Sequence, residues 1–296
     1  MATFPRLYLI IPVLAAFLLC NCKKSKFDSD LFKIEHDGEK RTYLLHVPDD
    51  YSSDERVSLI FALHGGTGSA RNIESQSGLV QLSESEGFVL CSPNGLKRTW
   101  NAGDCCGKAS ENNVDDVGFI SALIDKLIDE YSIDPKRVYI TGMSNGGFMC
   151  YRLACELSDK IAAIAPVAGT MTSLDCAPSE AVSVIHFHSE LDSNIPLDGG
   201  VGDGLSDHEN QSLEDVFDLW FGLNECQSSD IELKTDCSLE RGFNCSDSTA
   251  LHFYITEDGG HSWPGGNKGR SRGDEPSKAV DANLLMWEFF QKHPKP

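Results

Sequence analysis

The chain has 296 residues, 41% hydrophobic and 24% charged, a composition that excludes intrinsic disorder, collagen-like repeats and a multispan membrane protein. Its formal net charge of −20 repels phosphodiester backbones, and no basic cluster follows the short run Lys23-Lys24-Ser25-Lys26, so nucleic-acid binding is excluded. Once an N-terminal leader is set aside, roughly 270 residues remain, the size of one large α/β domain with a single core.

Residues 1–22 read as an export signal. One positive charge, Arg6, precedes an uncharged run from Leu7 to Cys20 that suits a signal h-region and is too short to span a bilayer. Leu19-Cys20-Asn21-Cys22 has the form of a loose bacterial lipobox, which makes Cys22 the expected lipidated N-terminus, with Cys20 as the rival acceptor and a plain secretory signal as the alternative. The expected organisation is a lipoprotein signal over 1–22, a linker over 23–40 and a catalytic domain over 41–296, located outside the cell or in the periplasm and attached to a membrane through the N-terminal lipid.

From residue 41 onward, short runs rich in branched and aromatic residues (42–47, 57–63, 87–91, 137–141, 161–167, 182–188, 251–255) alternate with helical patterns. That alternation predicts an α/β fold with a mostly parallel sheet covered by helices on both faces. The helix expected over 117–128 has apolar residues three and four apart, with Asp115 or Asp116 as its N-cap. Further helices are expected over 146–157, 212–223 and 277–292, and the Gly- and Asp-rich stretch 199–210 reads as an exposed loop.

Two of the eleven cysteines, Cys20 and Cys22, lie in the leader, and the remaining nine suit an exported domain whose loops are closed by disulfides. Cys91 and Cys150, each within an apolar or helical run, are expected as buried free thiols. The adjacent pair Cys105-Cys106 is expected to give one partner to Cys155 or Cys176. No C-x-x-C ligand pair is present, so no metal is expected, and no cofactor either.

Gly142-Met143-Ser144-Asn145-Gly146 fits G-x-S-x-G directly after a predicted strand and before a predicted helix, the context of a nucleophile elbow. A serine hydroxyl is a weak nucleophile at neutral pH and needs a histidine base held by a carboxylate. His261, in the glycine-rich loop leaving the last predicted strand, is the expected base. Asp192, just beyond the strand 182–188, is the expected acid, with Glu190 and Asp198 as competitors. His186 and His188 share one strand face with no third ligand in view, so a packed or hydrogen-bonded role is expected for both. Oxyanion donors are expected from the backbone N–H of Asn145 and from the loop His64-Gly65-Gly66-Thr67-Gly68, at Gly65, Gly66 or Thr67. Trp100 and Trp263, beside the motif loops, are expected at the rim of the substrate pocket.

Together Leu63-His64-Gly65-Gly66, Trp100-Asn101-Ala102-Gly103 with Cys105-Cys106-Gly107, Val114-Asp115-Asp116-Val117, the Ser144 motif and Gly259-Gly260-His261-Ser262-Trp263-Pro264-Gly265-Gly266 resemble the polyhydroxybutyrate depolymerase and feruloyl esterase family, from about residue 41 to about 290. The resemblance implies an α/β-hydrolase fold, a serine carboxylic-ester hydrolase with the triad Ser144, Asp192 and His261, and a small ester or ester-linked polymer as substrate. Ser189 departs from the glycine that the family commonly has there. With no surface-binding module in view, small soluble esters are expected over crystalline polymer. The alternatives are a non-catalytic surface-binding lipoprotein on a hydrolase scaffold and a serine peptidase of the same fold.

Overall fold

The branched and aromatic runs become strands of one sheet in the computed structural model, which describes residues 29–204 and 208–296. Cys20, Cys22 and the rest of the expected leader lie outside the described residues. The strands are β1 (Asp30–His36), β2 (Glu39–His46), β3 (Val57–Leu63), β4 (Val89–Pro93), β5 (Ile133–Met143), β6 (Ala163–Val167), β7 (Ser183–Ser189), β8 (Ser228–Lys234), β9 (Cys237–Phe243) and β10 (Leu251–Thr256). Their order is β1-β2-β4-β3-β5-β6-β7-β10-β9-β8. The block from β4 to β10 is parallel, and the hairpins β1-β2 and β8-β9 close its two sides with antiparallel pairs.

Alternation along β3 sends Leu59, Phe61 and Leu63 to one face and Ile60 and Ala62 to the other, and each face carries its own helices. On the first lie α4 (Asp116–Glu130), α5 (Asn145–Glu156) and α6 (Leu213–Leu223), which bury Phe119, Leu153 and Trp220. On the second lie α1 (Ala70–Ser77), α2 (Leu79–Glu86) and α7 (Ala282–Lys292), which bury Ile73, Val80 and Phe290. The short α3 (Gly107–Glu111) sits in the loop before α4. This is the α/β-hydrolase arrangement that the sequence implied.

Asp115 is the N-cap of α4, its side chain accepting from Gly118 N–H at 2.9 Å. Its neighbour Asp116 is buried and paired with Arg41 of β2 at 2.5 Å. Asp116 also accepts from Asn101 N–H at 2.8 Å, so the start of α4 is tied to the loop before α3.

Several boundaries differ from expectation. Residues 30–40, expected within a linker, form β1 and the start of β2, because Phe32 stacks on Tyr43 and seven residue pairs register across the hairpin. The last helix begins at Ala282 rather than 277, where the Asp281 side chain caps Leu284 N–H. The cysteine pairing is also corrected: Cys155 bonds Cys176, Cys226 bonds Cys245, and Cys105 bonds its neighbour Cys106. Cys155, in the last turn of α5, has its Cα 5.3 Å from that of Cys176, whereas Cys105 is turned inward to Asn145, whose Nδ2 donates to its Sγ at 3.5 Å. Cys91 and Cys150 are buried free thiols, and Cys237 is a third.

Candidate active site

Between β5 and α5 the chain turns so sharply that Ser144 adopts φ 56° and ψ −123°, a conformation that costs a non-glycine residue on the order of 1–3 kcal/mol. The packed surroundings hold it there: Ser144 N–H donates to Val167 O at 2.9 Å, and Ser144 O accepts from Phe148 N–H at 3.0 Å. Gly142 is required because a Cβ at that position would sit 2.6 Å from Gly146 O. The Asn145 side chain is not free for substrate. Its Oδ1 accepts from Trp100 N–H at 2.7 Å and its Nδ2 donates to Trp100 O at 3.0 Å, which fastens the elbow to the loop ahead of α3.

Asp192 and His261 leave the same edge of the sheet, one after β7 and the other after β10, and meet with His261 Nδ1 2.7 Å from Asp192 Oδ2. Asp192 Oδ1 accepts from Asn194 N–H at 3.0 Å and from Ile195 N–H at 2.9 Å. Burial alone pushes the Asp192 carboxyl up, but the hydrogen bonds from His261 and from the Ile195 N–H outweigh it and hold the group below its ordinary range. A carboxylate only accepts, so Nδ1 of His261 donates to Asp192, which leaves Nε2 as the ring nitrogen that can act as the base.

Ser144 and His261 line one cleft of about 510 Å³, and Asp192 lies buried behind the imidazole. The cleft walls mix apolar Ile73, Phe148 and Ile195 with polar Gln76, Asn194 and Arg270. Gly65 and Gly66 form its floor beside the elbow, with a Cβ on Gly65 falling 3.3 Å from Ser144 Cβ. Asn145, the first residue of α5, brings its backbone N–H to the same place, where the first turn of a helix leaves donors unpaired.

Three expected roles are corrected. Thr67 N–H donates to Arg98 O at 2.8 Å and is therefore spent, which leaves Gly65 and Gly66 as the candidate donors from that loop. Trp100 and Trp263 are fully buried and neither lines the cleft. Trp100 Nε1 donates to His64 O at 2.9 Å and Trp263 Nε1 to Asn283 Oδ1 at 2.9 Å, so both rings pack the loops from within. Cys105, Cys106 and His208 bring their ligand atoms within 4.8 Å of one another, but the two sulfurs are bonded together and are not thiolates.

The sequence pattern of the family described as "Esterase PHB depolymerase" matches residues 41–202. The chain belongs to that family. It is a carboxylic ester hydrolase. "Probable feruloyl esterase C" of Aspergillus niger is 28% identical over 264 residues, covering 86% of this chain and 85% of the relative. "Feruloyl esterase C" of Emericella nidulans is also 28% identical over 264 residues, covering 84% and 83%. A solved acetyl xylan esterase from Aspergillus awamori superposes with a TM-score of 0.62 at 16% identity, covering 88% of this chain and 99% of that one, a likeness of fold.

Within this family member two supporting residues stand out that sequence reasoning did not assign. Ser189 Oγ donates to Asp258 O at 2.8 Å and accepts from Leu191 N–H and Gly260 N–H, each at 3.1 Å. It thereby staples the loop of Asp192 to the loop of His261. The signal was the departure from glycine at this position. His64 holds the other side: its Nδ1 lies 2.8 Å from Gly65 O and its Nε2 accepts from Gly95 N–H at 3.0 Å. The carbonyl fixes the proton on Nδ1, and burial pushes the ring's pKa down to about 4.

Proposed function

We propose that this chain is an exported, lipid-anchored serine esterase that hydrolyses small soluble carboxylic esters through an acyl-enzyme on Ser144. The observation that carries the reading is an imidazole held at Nδ1 by a buried carboxylate, facing the same cleft as a serine on a strained elbow.

Ser144 Oγ attacks the ester carbonyl while His261 Nε2 takes its proton. The tetrahedral oxyanion is met by the backbone N–H groups of Asn145 and of Gly65 or Gly66, each such donor contributing about 3 kcal/mol of transition-state stabilisation. Collapse of this intermediate expels the alcohol, which receives the proton from His261 and leaves the acyl group on Ser144. Water then attacks the acyl-enzyme with His261 again as base, the acid departs and Ser144 regains its proton. Asp192 stays ionised throughout and supports the imidazolium.

The relatives named as feruloyl esterases favour an ester of an aromatic acid. A serine recessed in a cleft with mixed apolar and polar walls favours a substrate that enters it over the surface of a crystalline polymer. Purified protein assayed on methyl hydroxycinnamates, short aryl esters, hydroxybutyrate oligomers and a solid polyhydroxybutyrate suspension tests the reading. Soluble esters are expected to be cleaved far faster than the solid, and Ser144→Ala to abolish hydrolysis in a folded protein. Turnover by Ser144→Ala would refute the nucleophile, and clearing of the solid with negligible turnover of aryl esters would refute the substrate class.

A further inference from the structure

Behind Asp192, on the side away from the cleft, Tyr151, His186 and His188 form a buried polar line that the hydrolytic scheme does not use. His188 Nε2 lies 2.8 Å from Ile195 O and 3.6 Å from Asp192 Oδ2. His188 Nδ1 lies 3.2 Å from His186 Nε2, and His186 Nδ1 lies 2.8 Å from the Tyr151 hydroxyl. Phe253 stacks on His186 at 4.9 Å and Trp220 packs by Tyr151, so the line runs between apolar walls.

The direction of these bonds follows from one acceptor. Ile195 O can only accept, so His188 carries its proton on Nε2 and, as a neutral ring, accepts at Nδ1. His186 must then donate from Nε2 and accept at Nδ1, and the Tyr151 hydroxyl donates to it. Burial pushes both imidazoles toward the neutral form this line requires.

We propose that His188 is a positioning residue for the acid of the triad: through its Nε2–H it clamps Ile195 O, and so fixes the turn 192–195 that aims Asp192 at His261. The turn is a closed unit, because Ile195 N–H and Asn194 N–H bind Asp192 Oδ1 while Ile195 O is held by His188. The same proton faces Asp192 Oδ2, the oxygen that binds His261. His186 and Tyr151 satisfy the other nitrogen of His188 and so support the tautomer that Ile195 O selects.

The inference rests on the triad reading, but one of its tests does not. Nitrogen-15 NMR of the wild-type protein at pH 7 should show His186 and His188 as Nε2–H tautomers, and an Nδ1–H tautomer at His188 would overturn the clamp whatever the catalytic result. In kinetics, His188→Phe keeps the ring volume and removes the donor. It should lower kcat by about tenfold or more with KM within about threefold, as expected when a group acts in the transition state alone. His188→Gln, whose amide can donate from nearly the same place, should recover kcat to within about threefold of wild type. A folded His188→Phe with wild-type kcat would overturn the proposal. Should that variant not fold, His188→Gln decides alone: near-wild-type kcat supports the clamp, and a loss as deep as that of Asp192→Asn contradicts it. Hydrolysis by Ser144→Ala would sink the triad reading while leaving the His188 tautomer where it is.

Discussion

Asp192 Oδ2 receives His261 Nδ1 at 2.7 Å while its other oxygen is occupied by the backbone of its own turn, so the carboxylate cannot rotate without losing hydrogen bonds. In Asp192→Asn the amide can offer its NH2 to His261 Nδ1, which moves the ring proton to Nε2, the atom that must act as base. A drop in kcat of roughly 10³–10⁴-fold is expected for such a tautomer reversal. Steady-state rates on a soluble aryl ester measure it, and a variant within tenfold of wild type would remove Asp192 from the role.

Ser189 joins the acid and base loops through three hydrogen bonds from one oxygen. Ser189→Ala removes the partner of Leu191 N–H, which is exposed, and of Gly260 N–H, which is buried, while Asp258 O keeps the Thr256 hydroxyl at 2.9 Å, so about one buried group is left unsatisfied at a cost of about 1–3 kcal/mol. Urea unfolding should register a loss in this range, and kcat should fall by roughly tenfold as the two loops loosen. Unchanged stability together with unchanged kcat would show the staple to be idle.

His64 gives a stability that depends on pH with a definite sign. Burial first, and Arg98 in addition, lower its pKa to about 4, against the hydrogen bond to Gly65 O, while the unfolded chain titrates near 6.5. The unfolded state therefore takes up a proton that the folded state refuses. The contribution is complete above about pH 6.5 and is lost as pH falls toward about 4, by on the order of 3 kcal/mol in total. His252, also lowered to about 4, chiefly by burial, adds in the same direction. Urea unfolding at pH 7.5 and pH 5 should show the fall, with a smaller one in His64→Gln. An equal fall in both proteins would mean that His64 does not carry it.

The anchor is tested by metabolic labelling with a fatty acid in a bacterial host that processes lipoproteins. The protein should take up label, and Cys22→Ser should abolish it. Label retained in Cys22→Ser but lost in Cys20→Ser would move the acceptor, and no label in wild type would remove the anchor.

The elbow and the glycine-rich loop were legible in the sequence because each motif is a local demand. Ser144 needs small neighbours at Gly142 and Gly146, and those lie within two residues of it. Asp192 and His261 were readable one step further, since a parallel sheet delivers loop residues to one edge in a fixed chain order. What local reading could not supply was the meeting of distant segments. Whether a tryptophan beside a glycine-rich loop faces substrate or core depends on the far side of the fold, and the Trp100 indole finds His64 O, 36 residues earlier in the chain. The availability of Thr67 N–H likewise depended on Arg98 O, which only the folded loop presents. Strand β8 escaped notice because every residue in it is exposed and its only apolar residues are Ile231 and Leu233, while α1 carries few apolar residues. The role of Ser189 was hidden for the same reason, since Asp258 and Gly260 reach it only across the sheet.

The most direct test of the central claim is phosphonylation of the purified protein with a fluorophosphonate, following residual esterase activity and the modified peptide by mass spectrometry together. The account predicts one adduct per chain, on Ser144, forming at the rate at which activity disappears, and none in Ser144→Ala. Full activity in protein modified at Ser144, or inactivation that tracks modification of a different serine, would contradict it.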